Sequence, residues 1–439
     1  MKHFDATDLE SLFPQAHALG FEKVEVYREC TQAIVAEFLG RTDVLAFSER
    51  QGTSLRAIKD GTWHWFSVDC GDAQSLLSTL QGQARSTLTS HGVSATAPSE
   101  LGAQASSILA TARTAFSSQA EKLQTPYLKA TLTRRHYQVC RMDEALQEGW
   151  EEAGDVQSHW VIDGKRYSWE RARGSLAGLV DETASPQGLV ASVKLSLNPR
   201  TAWPAPQGRV PVLWSARSVA KLQMLLLSAF EGDRVLSNRS FLNELPLPLD
   251  FQFNVQDKPE RAGTQVDHEG SVRRATYLLR DGKPTALACN RKLAQALEVQ
   301  PTGHARRASF EAAPVVGFWH PHLEPRTSAP AILQAMESGI SVREIEVLHF
   351  DPASGAVEIR LVQSFLVHHG AEGEPMESVV LRMGLVDLLK SFNVFEDQSL
   401  TTGIAVGKQN QKLYTEVTAP AVLSSPLPVP GTVPPNHYW

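Results

Sequence analysis

The residues in this chain best suited to chemistry are its histidine clusters, His320-Pro321-His322, His268-Glu269 and His368-His369. Imidazoles at i and i+2 of a strand project to one face, so His320 and His322 have the spacing of a metal-binding pair. A zinc site needs at least three converging N, S or O donors, and no third ligand follows nearby. The other reading of this pair is an exposed or hydrogen-bonded cluster in a proline-interrupted loop. His268-Glu269 begins like a His-Glu-x-x-His motif, but the next ligand would fall at Val272 or, with one residue more, at Arg273. Gly270 also disfavours the helix that such a motif requires, so the segment reads as a turn. His368 and His369, adjacent on a strand, would face opposite sides and cannot chelate together.

Other chemistries lack their sequence context. Ser, His and Asp are plentiful, yet no Gly-x-Ser-x-Gly elbow presents a nucleophile. Neither a Walker loop nor Gly-x-Gly-x-x-Gly is present, which removes support for nucleotide binding. Asp163-Gly164 and Asp281-Gly282 are turn residues before they are catalytic acids. Cys30, Cys70, Cys140 and Cys289 are scattered without paired spacing, a pattern suited to buried thiols in a reducing cytoplasm. The formal charge of −6 argues against nucleic acid as a partner, and Arg134-Arg135-His136 and Arg306-Arg307 are too short to supply a footprint. Met1 to Asp5 leads into an acidic stretch with no signal-peptide core, and apolar runs such as Met224–Leu227 are far too short to span a bilayer. A soluble cytoplasmic protein with no membrane partner is the expectation.

The elements that would position these residues divide the 439-residue chain into two domains and a tail. Residues 1–204 form the N-terminal domain. A helix over 8–19 ends at Gly20, and strands follow at Val24–Arg28, Ile34–Leu39, Val44–Glu49, Gly52–Ile58 and Thr62–Val68. Residues 72–91 read as helix, 92–107 as a Ser/Ala/Thr-rich loop, and 136–153 as helix by composition. A hairpin runs from Val156 through Asp163-Gly164-Lys165 to Glu170, and Leu189–Leu197 alternates as a strand. Pro204 to Gly208 is the linker. Residues 205–418 are rich in strands with few helices, and residues 419–439 carry Pro420, Pro426, Pro428, Pro430, Pro434 and Pro435 as an extended tail. The fold class is α+β: an N-terminal α/β domain with an antiparallel strand meander, then a β-rich C-terminal domain.

Residues 213–242 hold the most informative pattern. Ser215 can cap a helix on which Val219, Leu222, Leu226, Ala229 and Phe230 recur on one face, and Gly232 is placed to end it in a left-handed cap. This helix and its Gly-Asp-Arg…Ser-Asn-Arg-Ser-Phe-Leu sequel resemble the central segment of the TldD/PmbA peptidase family. Val266-Asp267-His268-Glu269-Gly270-Ser271 is similar to the family's Asp-x-Glu-Gly turn. Further similar segments are Asn290-Arg291-Lys292-Leu293-Ala294, the loop Pro301–Arg307, Pro352-Ala353-Ser354-Gly355 and Leu381–Lys390. The resemblance is strongest over about residues 205–415.

In catalytic members the resemblance implies His-Glu-x-x-x-His on this helix and a cysteine near the C-terminus as zinc ligands. Here no His and no Glu precedes Glu231 on the helix, and Ala405 or Val406 stands where the thiol would be. The chain therefore resembles the non-catalytic, TldE-like partner type, with no catalytic residue, metal ligand or cofactor of its own. What the resemblance implies is a subunit of a heteromeric metallopeptidase, paired with a zinc-bearing TldD-like homologue around a chamber for unfolded or modified peptides in maturation or degradation. His304, Arg306 and Arg307, on a family-like loop, are the candidates for holding peptide. Two other readings stay open. One is a stand-alone homodimeric peptide- or ligand-binding protein that has lost peptidase activity. The other is an enzyme with a new site at His320 and His322.

Overall fold

The computed structural model describes residues 6–40, 42–69, 78, 99–117, 121–142, 144–185, 188–197, 202–243, 245–259 and 265–430. The helix expected over 72–91 and the tail end 431–439 lie outside them, residue 78 apart. Strands Glu22–Leu39 and Thr42–Lys59 are each continuous where the sequence suggests two shorter ones. With Thr62–Asp69, Gln124–Arg141, Gln147–Ile162 and Lys165–Arg173 they make an antiparallel meander whose centre is the Glu22–Leu39 strand, flanked by Thr42–Lys59 and Gln124–Arg141. The hairpin at Asp163-Gly164 is confirmed, with φ of 50° and 78°. Two successive left-handed residues are what a two-residue turn between right-twisted strands requires.

Three expectations in this half are corrected. Residues 136–153, helical by composition, belong to two strands joined by a short connection. Each has a ladder partner on both sides, and cross-strand ion pairs such as Arg134–Glu152 and Arg135–Glu151 reward the register. Tertiary pairing overrides propensity here. Residues 99–107, expected as loop, open the helix Ser99–Ser117, which buries Leu101, Ala105, Ile108, Ala112 and Phe116 at helical spacing against the sheet residues Ile34, Ala36, Phe38 and Leu132. Leu189–Leu197 is a helix, not a strand. Leu189, Val193 and Ser196 are its buried positions, and Ser196 Oγ accepts the Trp160 indole N–H at 2.8 Å.

In the C-terminal half, Ser215 caps helix Ala216–Leu227 as its sequence suggests, accepting from the Ser218 N–H at 3.1 Å. Val219, Leu222 and Leu226 are fully buried among Trp214, Phe230 and Phe253, each worth about 1.5–3 kcal/mol of burial. Gly232 does not cap it in the left-handed region. It begins a second short helix, Gly232–Leu236, where a Cβ would lie 2.7 Å from Cys289 Sγ. Close approach, not a positive φ, is what requires glycine there. The late segment 381–390 is helical only over Leu385–Lys390, its first residues ending strand Val380–Gly384. Strand Gln411–Val429 runs through position 419 and pairs with Phe392–Lys408 and, in its proline-rich part, with Gly208–Trp214.

A buried ionic cluster joins the two halves. Glu25 and Arg56 from the meander meet Glu269 and Arg307 from the later half, with Arg56 Nη2–Glu25 at 2.8 Å, Arg56 Nη1–Glu269 at 2.5 Å and Arg307 Nη2–Glu25 at 3.0 Å. Beside it, Arg135 and Arg306 reach Glu151 at 2.9 and 3.5 Å. His268 lies between the two groups, fully buried, its Nδ1 accepting the Arg307 N–H at 2.8 Å. The ring is therefore neutral with its proton on Nε2. Desolvation, reinforced by Arg135, Arg306, Arg307 and Arg273, holds its pKa well below the ordinary 6.5. A depressed pKa gives stability that is full above 6.5 and falls as pH drops from there toward the folded-state value. The His268→Asn variant lacks this dependence. We expect the stability advantage of wild type over it to shrink by up to about 1.4 kcal/mol per pH unit below 6.5, read from urea unfolding at stepped pH. A constant difference across that range would contradict a neutral buried ring.

Candidate functional site

The helix and the C-terminal segment that the sequence singles out face each other across one cleft of about 820 Å³. Helix Ala216–Leu227 contributes Arg217, Lys221, Met224 and Leu225, followed by Ser228, a spacing that defines one face opposite its buried stripe. The facing wall is Ile404–Lys408, at the end of strand Phe392–Lys408. Glu344–Val347 and Ser168–Arg171 form further walls. Neither of these two segments carries a residue pattern that marks it in the sequence.

Strands Lys165–Arg173 and Phe392–Lys408 touch at a single antiparallel pair, Ala172 with Gly403. A Cβ on Gly403 would lie 1.7 Å from the Ala172 carbonyl oxygen, so only glycine allows the contact. Arg173 Nη1 donates to the Thr401 carbonyl beside it. Beyond this pair the two strands share no further ladder, and Ile404–Lys408 is bonded on its other side to Gln411–Thr415. Among the described residues, the cleft-side edges of Ile404–Lys408 and Ser168–Arg171 have no strand partner. The Glu170 carbonyl is already bonded by Arg171 Nη1 at 2.7 Å. Unpaired edges that diverge from a common point can accept an extended chain through its backbone.

The donor chemistry of the cleft is ionic and apolar. Among the described residues no His and no Cys lines it, and its carboxylates are Glu170, Glu231, Glu344 and Glu346. Glu231 is held by Arg234 at 2.7 Å and Lys408 at 3.0 Å, Glu344 by Arg217 at 2.7 Å and Lys221 at 2.5 Å, and Glu346 by Arg360 at 2.7 Å. Met224, Leu225, Phe318, Val347, Phe350, Ile404 and Val406 give it an apolar lining.

The candidates named from the sequence lie elsewhere. His304, Arg306 and Arg307 are buried, with exposures of 2, 5 and 1%. His304 Nε2 lies 3.0 Å from Asp257, Arg306 donates to the Phe318 and Tyr414 carbonyls at 2.7 Å, and Arg307 donates to Ser54 Oγ at 3.0 Å. Carboxylates and carbonyls from distant strands enclose them in this chain. Desolvation lowers the Arg306 and Arg307 pKa values, with Glu151 and Glu25 opposing it. His268 and Glu269 form the expected turn, in which Asp267 Oδ1 accepts the Glu269 and Ser271 N–H groups at 2.9 and 2.8 Å. The His320 and His322 rings lie 4.4 Å apart, tilted by 46°, and His320 Nε2 is bonded to Thr418 Oγ1 at 2.9 Å. No group of three or more His, Cys, Asp or Glu among the described residues is arranged to hold a metal ion. No helix among them is long and apolar enough to cross a membrane.

A family model for the PmbA/TldA metallopeptidase C-terminal domain matches residues 207–430. A metalloprotease from Methanothermobacter thermautotrophicus is 27% identical over 239 residues, 53% of this chain and 52% of that protein, so the chain matches about half of that relative's length. TldE from Thermococcus kodakarensis has a similar fold, with a TM-score of 0.75 at 15% identity over 97% of this chain and 100% of the other. A candidate modulator of DNA gyrase from Bacteroides thetaiotaomicron matches with a TM-score of 0.75 at 14% identity over 98% and 100%. Another from Thermotoga maritima gives 0.72 at 16% over 96% and 99%. At these identities the structures establish the fold alone.

Proposed function

Because this chain belongs to the PmbA/TldA metallopeptidase family, the TldD/PmbA group, we propose that it is a subunit without catalysis of its own that holds peptide for a zinc-bearing homologue. The observation that carries this reading is the lining of the cleft. The two segments that the family resemblance makes into zinc-ligand segments face each other across it, as Met224, Leu225 and Ser228 on one side and Ala405 and Val406 on the other. Zinc is bound by thiolate, imidazole or free carboxylate. Among the described residues the cleft has neither of the first two, and three of its four carboxylates are neutralised by Lys or Arg. The residues here do not fit the ion, and no step of hydrolysis is assigned to them.

What the cleft does offer is backbone edges over an apolar floor. An extended peptide bonded through its main chain is held with little regard to side chains, which suits unfolded or modified substrates. Fixing the scissile bond relative to a partner's metal converts an encounter into an oriented reaction. The purified full-length chain is expected to contain well under one zinc per molecule and to cleave no unstructured peptide. Elemental analysis giving about one tightly held zinc per chain, with hydrolysis lost on chelation, would overturn the proposal.

A further inference from the structure

The cleft is chemically polarised. At the end where the two strand edges meet, Arg171, Arg217 and Lys221 line both it and an adjoining cavity of about 260 Å³, with Arg173 beside them. These four cations share two half-buried carboxylates. Glu182 lies 2.9 Å from Arg171 Nε, 3.4 Å from Arg173 Nε and 3.7 Å from Arg217 Nη1. Glu344 takes Arg217 Nε and Lys221 Nζ. Of the other carboxylates at this end, Glu170 is exposed, and Asp155 is occupied by the Tyr414 hydroxyl at 2.5 Å and by Lys412 at 3.3 Å.

Donor capacity is left over. Arg217 Nη1 is buried and makes no hydrogen bond, since 3.7 Å to Glu182 is too long for one. Lys221 spends two of its N–H groups, on Glu344 and on the Ile345 carbonyl at 2.7 Å. Desolvation and the neighbouring Arg217 pull Arg171 down to about 10, with Glu182 and Glu344 opposing them. A guanidinium–ammonium cluster with unspent donors, half shielded from water, selects an anion of carboxylate geometry.

We infer that this end of the cleft is a carboxylate-binding subsite, which receives either the C-terminal carboxylate or an acidic side chain of the peptide held there. The inference rests on the peptide-holding role proposed above. The test is fluorescence anisotropy on the full-length chain with an N-terminally labelled, otherwise uncharged peptide in three forms: free acid, C-terminal amide, and amide with one central Gln replaced by Glu. In wild type, a carboxylate-bearing form should bind at least about tenfold tighter than the plain amide. A preference for the free acid assigns the C-terminal group, and one for the Glu-bearing amide assigns the side chain. Arg217→Gln and Lys221→Met should each remove most of the preference, read within each variant as the ratio of carboxylate-bearing to plain-amide affinity. The wild-type comparison stands even if one variant melts early. Equal binding of all three forms would overturn the subsite while the peptide-holding role stands, as would a preference that survives both substitutions. Binding of none would remove the peptide-holding role, and the subsite with it.

Discussion

Replacing Arg307 with Ala should destabilise the protein by about 3–5 kcal/mol, as expected when one partner of a buried ionic cluster is removed. The side chain is 1% exposed. It bonds Glu25 and Ser54 at 3.0 Å and the His268 carbonyl at 3.1 Å, and it lies over the Tyr27 ring at 4.1 Å. Truncation would leave Glu25 with Arg56 alone and open a void beneath Tyr27. Because Glu25 and Tyr27 belong to the meander and Arg307 to the later half, the loss would also loosen one half from the other. Arg307→Lys should fall between, since it keeps the charge but reproduces neither the forked bonding nor the stacking. Urea unfolding followed by tryptophan fluorescence gives the measurement. A loss below about 1 kcal/mol, the range of exposed ion pairs, would show that the cluster does not couple the halves.

How much of this was legible in the sequence differs from element to element. Helix Ala216–Leu227 declared itself, because a capping serine and an apolar stripe agree and tertiary contacts have nothing to override. The hairpin at Asp163-Gly164 was legible for the same reason: the turn residues dictate the geometry. The α+β class followed from such elements. Residues 136–153 misled because Glu, Gln and Ala favour helix in isolation, while 136–141 are held as strand partly by Glu22–Leu39, over a hundred positions earlier, and 147–153 by the neighbouring strand Gln124–Arg141. A signal was nonetheless present. Arg134-Arg135 and Glu151-Glu152 are spaced so that an antiparallel hairpin places each cation opposite a carboxylate.

The cleft was half legible. Two of its walls were singled out by the resemblance, while Ser168–Arg171 and Glu344–Val347 were not, because a strand edge is defined by the absence of a neighbour and not by residue type. The burial of His304, Arg306 and Arg307 was not legible either. Basic residues in a loop look solvated until Glu25, Glu151 and Asp257, from elsewhere in the chain, are seen to enclose them.

The central claim is that this chain acts only in trans, and one assay addresses it. The full-length chain is mixed with a zinc-bearing homologue from the same source, and cleavage of an unstructured peptide is compared with that of each protein alone. Orientation of a held substrate can account for a gain on the order of 10²-fold or more, so the mixture should exceed the sum of its parts by at least that factor. Activity should vanish when the partner's motif glutamate is replaced. It should survive His320→Ala and His322→Ala here. His268 is not a fair probe, because it is fully buried and its loss would report on stability. The account predicts hydrolysis in the mixture and almost none in either protein alone. Full-rate cleavage by the homologue alone, cleavage by this chain alone, or loss of turnover on changing His320 or His322 would contradict it.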